Sequence, residues 1–469
     1  MVFSSVTFLF IFLPIVFVLY YLLPNLKLKN VLLIIASLIF YAFGEPVYVF
    51  LLLLSALFNY LFGLNVVGHD TKAKVCIVLA VVYNIGMLVV FKYADFLIEI
   101  INNITRLSIG SVNLTLPIGI SFFTFQALSY VIDVYRNNEM RQKKFSNVVL
   151  YIFFFPQLIA GPIVKYHDIQ KEINNRDASI EDISSGIRRF IYGLAKKILI
   201  ANTVGYVADT IYSMNLGDVN FLAAWVGAIA YALQIYYDFS GYSDMAFGLG
   251  KMFGFHFKEN FLYPYSASSI KDFWHKWHIS LSTWFKEYLY IPLGGNRKGQ
   301  LRTVINKVIV FFTTGLWHGA NFTFIIWGLF HGLFASLEDF QIIPTNKKWW
   351  KYVGHIYTLL VVVVAFVIFR ADTVSQAFTM IAAMFTGFNS SIISSVTVAH
   401  LLSPYTVFIL IFGLIFALPI KNVVSNKFTS INKEGLFEVG GYVCSFVLLA
   451  LCIMSLASSS FNPFIYFRF

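Results

Sequence analysis

Charge is the first thing this chain is short of. Only 12% of its 469 residues are Asp, Glu, Lys or Arg, too few to cover a water-facing surface of that size, so a soluble globular protein is excluded. Cysteine is scarcer still. Cys76, Cys444 and Cys452 all lie in apolar runs without metal-type spacing, which argues against a disulfide framework or a zinc site and leaves packing as their expected role. No stretch has the short apolar–polar alternation of barrel strands, no internal repeat is visible, and no Ser or Cys sits in a nucleophile-elbow motif. The first apolar run, Val6 to Leu23, has no basic residue ahead of it and no small-residue cleavage pattern behind it. It reads as a first transmembrane helix and not as a removable signal peptide.

What is present is apolar surface: 58% of the residues are hydrophobic and the mean hydropathy is +0.74. The apolar residues fall into many separate runs of about 20, the length of a membrane-spanning helix, so the chain is expected to be an all-α polytopic membrane protein. The formal net charge of +11 reflects loop bias and not nucleic-acid binding. Lys27 and Lys29, Lys72 and Lys74, and Arg136, Arg141, Lys143 and Lys144 follow alternate spans, which places those loops inside and the N-terminus outside. Later spans are expected near 190–212, 219–237, 352–369, 374–388, 401–420 and 439–457. Between Asn147 and Val164 the apolar run is interrupted by Pro156, Gly161 and Pro162, consistent with either a re-entrant segment or a Pro-kinked helix.

Three stretches carry polar chemistry. Thr313 to Gly332 contains His318 and no charged residue, and an ionisable side chain at membrane depth is a functional candidate by default. If this stretch is one continuous helix, Thr314, His318 and Asn321 line one side, while Gly315 and Gly319, with Gly328 and Gly332, form small-xxx-small pairs for close helix contact. Ser269 to Tyr288 opens with an N-cap signature, Ser269 followed by Asp272. It reads as one amphipathic helix with Trp274, Trp277, His278, Leu281, Trp284, Phe285 and Tyr288 on its apolar face. A metal site built from His275, His278, His318 and His331 is disfavoured, because His318 and His331 would point about 220° apart on a continuous helix. The third stretch, Tyr236 to Met245, reads as a polar break between apolar flanks. Asp238, Ser240, Tyr242 and Asp244 there either line a cavity or cap short helices. A neutral imidazole can remove a proton from a hydroxyl, so direct attack of an alcohol on an activated acyl group is the natural chemistry for His318.

These stretches resemble the membrane-bound O-acyltransferase family, in particular its bacterial branch that includes the alginate O-acetyltransferases. The residues that carry the resemblance are 116–126, 155–162, 237–245, 272–282, 288–297 and 316–320, with the closing 462–469. The resemblance implies one membrane-embedded domain over 1–469, with the motifs in roughly 116–337 and flanking helices in 1–115 and 338–469. It also implies about 10–12 transmembrane or re-entrant helices around a central tunnel, plus amphipathic helices. His318 takes the place of the family's invariant histidine and His278 that of its second conserved polar position. Acetyl-CoA is the implied acyl donor, with no tightly bound cofactor and no metal. The implied acceptor is an extracytoplasmic polysaccharide or peptidoglycan, and an SGNH-hydrolase-like acetyltransferase is implied as a partner on the outer face of the bacterial inner membrane. A D-alanyl transfer from a carrier protein is the family alternative, and a proton-relaying transporter using His318, Asp238 and Asp244 is the non-enzymatic one.

On this reading His318 acts as general base and His278 orients the thioester or polarises its carbonyl. Thr314, Trp317, Asn321, Trp277, Asp238, Ser240, Tyr242 and Asp244 line the substrate path. Arg297, Lys298 and Arg302 meet the donor's phosphates or simply anchor the inner face.

Overall fold

The apolar runs fold as helices, as they must in hydrocarbon, where every backbone polar group needs a partner within its own segment. The computed structural model describes residues 1–388, 391–430, 434–458 and 461–463, and no strand occurs among them. The last part of the closing motif, residues 464–469, lies outside the described residues. Among these helices are α1 (Ile120–Arg136), α2 (Ile180–Ala195), α3 (Phe221–Met252), α4 (Ile270–Lys276), α5 (Ile279–Phe285), α6 (Gln300–His318), α7 (Phe322–Asp339) and α8 (Trp350–Arg370). The polytopic helical class stands.

Among the described residues four helices are long and apolar enough to cross a membrane: Tyr48–Asn65, Thr71–Thr105, Trp350–Arg370 and Gly435–Ser458. The run expected as one span over 401–420 is instead a pair, Ile392–Leu401 and Pro404–Phe416, bent by 77°. Ser403 caps the second helix through the amide of Thr406 and Pro404 sits in its first turn. These are start signals that stop the preceding helix from continuing.

The chain divides into two compact units, Met1–Phe190 with Tyr242–Lys258, and Ile191–Gly241 with Glu259–Phe469. In the first unit, the interrupted run at 147–164 is not a kinked helix. Helix Phe145–Phe153 stops, Phe155–Leu158 forms a single turn, and the whole of 147–166 is buried. Its irregular backbone finds side-chain partners: Ser37 Oγ accepts from the Phe155 amide at 3.1 Å and Tyr151 donates to the Val164 carbonyl at 2.9 Å. That is the condition for non-helical chain at membrane depth.

In the second unit α6 and α7 form the tightest pair. A Cβ on Gly328 would lie 2.3 Å from the Phe311 carbonyl oxygen, and one on Gly315 would lie 2.4 Å from that of Phe324. Only glycine allows backbones to approach this closely, which bears out the small-residue pairing read from the sequence. α8 packs on α7 through Phe369, whose ring lies 4.9 Å from both Phe324 and Trp327.

Candidate functional site

His318 is the last residue of α6, and the stretch around it is not one helix. Gly319 is fully extended, and Asn321 caps α7 by accepting from the Thr323 amide at 3.1 Å. The continuous helix expected over 313–332 is therefore two helices, and the Thr314–His318–Asn321 stripe is not formed. Thr314 Oγ1 donates to the Val310 carbonyl within its own helix at 2.7 Å, and Asn321 Nδ2 donates to the Asp372 carbonyl at 2.9 Å. The break follows from Gly319 and from the strong N-cap residue Asn321. His318 itself is buried among aromatic rings: Trp317 and Trp327 at 5.0 Å and Phe369 at 5.1 Å, all close to edge-on.

The second stretch breaks too, and at the residue of interest. Ser269 caps α4 through the Asp272 amide as expected, but α4 ends at Lys276. His278 takes a left-handed conformation, φ +42°, before α5 begins. An L-residue seldom adopts this conformation. Trp277 is buried, ringed by Phe273, Phe366 and Phe261, and the apolar face is buried as the spacing predicts, while His275 is exposed.

Asn260 holds the break. Its side-chain oxygen accepts from the Ser280 amide at 3.1 Å and the Ser280 hydroxyl at 2.9 Å, and the same oxygen lies 3.3 Å from His278 Nδ1. The Ser280 amide is an obligate donor, so the atom it meets is the amide oxygen. The Ser280 hydroxyl also lies 3.4 Å from Nδ1 but gives its one hydrogen to Asn260, so an imidazole nitrogen facing that amide oxygen is satisfied when it carries the hydrogen. In neutral His278 this leaves Nε2 with the lone pair; that atom is buried and has no partner among the described residues. Trp317 links the two histidines, its ring 6.0 Å from His278 and 5.0 Å from His318.

The stretch expected as a polar break at 236–245 is uninterrupted helix in α3. Its charges are neutralised by partners. Asp238 pairs with Lys197 at 2.9 Å with both side chains almost fully buried, and Lys197 also donates to the Pro463 carbonyl. Asp244 pairs with Arg189 at 2.9 Å. Gly241 permits close packing: a Cβ there would lie 2.8 Å from the Gly193 carbonyl. Ser240 Oγ is buried without a partner among the described residues. Tyr242 and Asp244 belong to the first unit, where Tyr242 stacks on Phe3 at 4.5 Å. Asp238, Ser240 and both histidines belong to the second. Arg297, Lys298 and Arg302 are exposed on the loop before α6 and on its first turn.

Sequence reasoning missed Asn260, Trp327 and Phe369. Asn260 lies in an irregular stretch with no periodicity to flag it. Trp327 had a signal, since it falls at i+4 from Thr323 and i−4 from His331.

Residues 136–381 match the family described as MBOAT, membrane-bound O-acyltransferase family. The whole chain aligns at 40% identity with the whole of a "Probable alginate O-acetylase AlgI" of Pseudomonas putida. It is 36% identical over 82% of its length to a "Peptidoglycan O-acetyltransferase" of Helicobacter pylori, covering 80% of that protein. Over 54% of its length it is 28% identical to a "Teichoic acid D-alanyltransferase" of Bacillus subtilis, covering 67% of that protein.

Proposed function

This chain belongs to the membrane-bound O-acyltransferase family, and from that premise we propose that it moves an acetyl group from cytoplasmic acetyl-CoA toward a hydroxyl of an extracytoplasmic cell-envelope polysaccharide, an alginate-like exopolysaccharide or a related glycan. It is an O-acyltransferase and a multi-pass membrane protein. Full-length similarity to O-acetylases, against partial and weaker similarity to D-alanyltransferases, favours acetyl over D-alanyl. The bacterial inner membrane is the proposed location, a tunnel the proposed route, and an SGNH-hydrolase-like acetyltransferase on the outer face the proposed partner.

The observation that carries the reading is the pair of buried imidazoles, His278 and His318, each in edge contact with the Trp317 indole. His318 is the base toward the acceptor hydroxyl, or toward a protein hydroxyl that carries the acetyl group onward. The hydroxyl oxygen bonds to the carbonyl carbon as the carbon–sulfur bond breaks, and the proton received by His318 passes to the departing sulfur. The lone pair at His278 Nε2 suits a group that orients a hydroxyl or thiol proton, which supports moving His278 away from polarising the carbonyl. A dry aromatic surround disfavours hydrolysis of the thioester. Arg297, Lys298 and Arg302, solvent-facing on one loop and turn, suit the donor's phosphates.

The test supplies acetyl-CoA labelled in its acetyl group to purified protein in vesicles, with an acceptor glycan, and compares wild type with His318→Ala. Loss of label transfer by about a hundredfold or more is expected for removal of a general base. Transfer that survives the substitution overturns the assignment, and solute flux without thioester cleavage favours a transporter.

A further inference from the structure

Along α7, Thr323, Trp327 and His331 recur at every fourth residue and share one face. All three are buried, at 0%, 2% and 0% exposure. Thr323 Oγ1, Trp327 Nε1 and both ring nitrogens of His331 have no hydrogen-bond partner among the described residues. Half-buried Trp274 of α4 adds a fourth unpartnered group through its buried Nε1. The rings of Trp274, Trp327 and His331 form a triangle, 5.2 Å from His331 to each indole and 5.8 Å between the indoles. Phe273 lies flat against His331 at 6.0 Å. The cluster adjoins the site, because Trp327 also faces His318.

A buried polar atom left without a partner is costly, and such atoms are rare in folded proteins. Several on one helix face, grouped around three rings, mark a place where a guest supplies the partners. The composition of the group selects the guest. Indole N–H groups donate only, a hydroxyl and a neutral imidazole each donate once, and the cluster holds no charged side chain. A cation finds no carboxylate there and a full anion finds no countercharge. A neutral oxygen acceptor whose negative charge grows during reaction fits the donor set. His278 does not compete for it, since its free nitrogen in the neutral form is the one without hydrogen.

Resting on the acyl-transfer reading, we propose that Trp274, Trp327 and His331, with Thr323, form the subsite that receives the carbonyl oxygen of the acyl donor beside His318. When the acceptor oxygen adds to the carbonyl carbon, charge builds on that oxygen. The cluster's N–H groups hold the charge until the carbon–sulfur bond breaks and the proton from His318 leaves with the sulfur.

The experiment uses acetyl-CoA isotope-labelled at its carbonyl carbon, bound to the full-length His318→Ala protein so that it does not turn over, and reads the thioester carbonyl infrared band. The band is expected to move to lower frequency on binding, and to return toward its solution position when Trp327→Phe or Trp274→Phe is added. In the otherwise wild-type protein Trp327→Phe, Trp274→Phe and His331→Phe are expected to lower kcat at least about tenfold with KM for acetyl-CoA within about threefold, as for a donor acting in the transition state. The near-isosteric Thr323→Val gives the same readouts where a ring variant fails to fold. An unshifted carbonyl band, or wild-type kcat in all four variants, overturns the subsite while leaving the base role of His318 intact. A wild-type protein that transfers no label overturns both readings.

Discussion

Asn260 and His278 lie 18 residues apart, and the side-chain oxygen of the first faces Nδ1 of the second at 3.3 Å. The same oxygen accepts from the amide and hydroxyl of Ser280, and the Asn260 carbonyl accepts from the Ile279 amide at 3.0 Å. One asparagine therefore sets both the left-handed turn at His278 and the tautomer of its ring. Replacing Asn260 with Ala is expected to lower stability by about 1–3 kcal/mol, the cost of stranding buried donors. It is also expected to reduce acetyl transfer at least about tenfold, since a misplaced catalytic group is costly. Thermal melting in detergent and label transfer check the two effects. Asn260→Asp, which keeps the acceptor oxygen, is expected to retain more activity than Asn260→Ala.

The glycine contact between α6 and α7 gives a sharper test of packing. A methyl group at Gly328 would lie 2.3 Å from a backbone oxygen that has no freedom to move aside. Gly328→Ala is expected to destabilise the protein by about 1–3 kcal/mol through overpacking. Gly86, where an added Cβ meets nothing within 4 Å, is the control, and Gly86→Ala is expected to be neutral or slightly stabilising by helix propensity. Melting temperatures of the two variants in the same detergent settle the comparison.

Lys197 and Asp238 separate a structural from a substrate-contacting role. Removing one partner of a buried ion pair strands the other, so Lys197→Met is expected to lose about 3–5 kcal/mol. The double variant Lys197→Met with Asp238→Leu is expected to recover much of that loss. If Asp238 is held only for structure, the recovered protein transfers acetyl at close to the wild-type rate; if Asp238 meets substrate, stability returns without activity.

His167, on the amphipathic helix Tyr166–Asn174, supplies a pH dependence. Its Nδ1 lies 2.9 Å from Asp133 Oδ2, and that hydrogen bond raises the imidazole above its ordinary value of 6.5, with burial working against it. A raised folded value means that the protonated form is favoured by folding. The stabilisation is then fully present below the ordinary imidazole value and is lost as pH rises through the raised one. The melting-temperature difference between wild type and His167→Asn is expected to be largest near about pH 5 and to shrink by about pH 9.

The Arg297, Lys298 and Arg302 loop makes a prediction about the donor alone. Changing all three to Gln is expected to raise KM for acetyl-CoA several-fold with kcat little changed, the pattern of lost ground-state binding. An unchanged dependence of rate on acetyl-CoA concentration assigns the three to inner-face anchoring.

Much of this protein was legible in its residues. Helical class follows from apolar run length, because hydrocarbon permits few other solutions. Close helix packing at Gly315 and Gly328 follows from their small-residue spacing, though not that they pack on each other across a break, and the burial of Trp277, His278, Leu281 and Trp284 follows from the apolar periodicity. Breaks were harder to read. Gly319 with Asn321, and Trp277 with His278, interrupt stretches whose hydrophobic pattern runs on unbroken, because periodicity reports which residues are buried and not whether the chain turns between them. The reverse error occurred in α3, where Asp238, Ser240, Gly241 and Asp244 look like a break but remain helical once Lys197 and Arg189 neutralise the carboxylates.

The sequence by itself determined that His318 and His278 are buried in an apolar, helical, membrane-embedded chain, because burial follows from the identity of the neighbouring residues. Only the tertiary structure decided which nitrogen of His278 carries its hydrogen, that Trp317 and Trp327 wall His318, and that Trp274 joins Trp327 and His331. Those relationships are made across the chain, between Asn260 and Ser280, α4 and α7, and α6 and α7, and no local pattern encodes contacts between segments that meet only after folding.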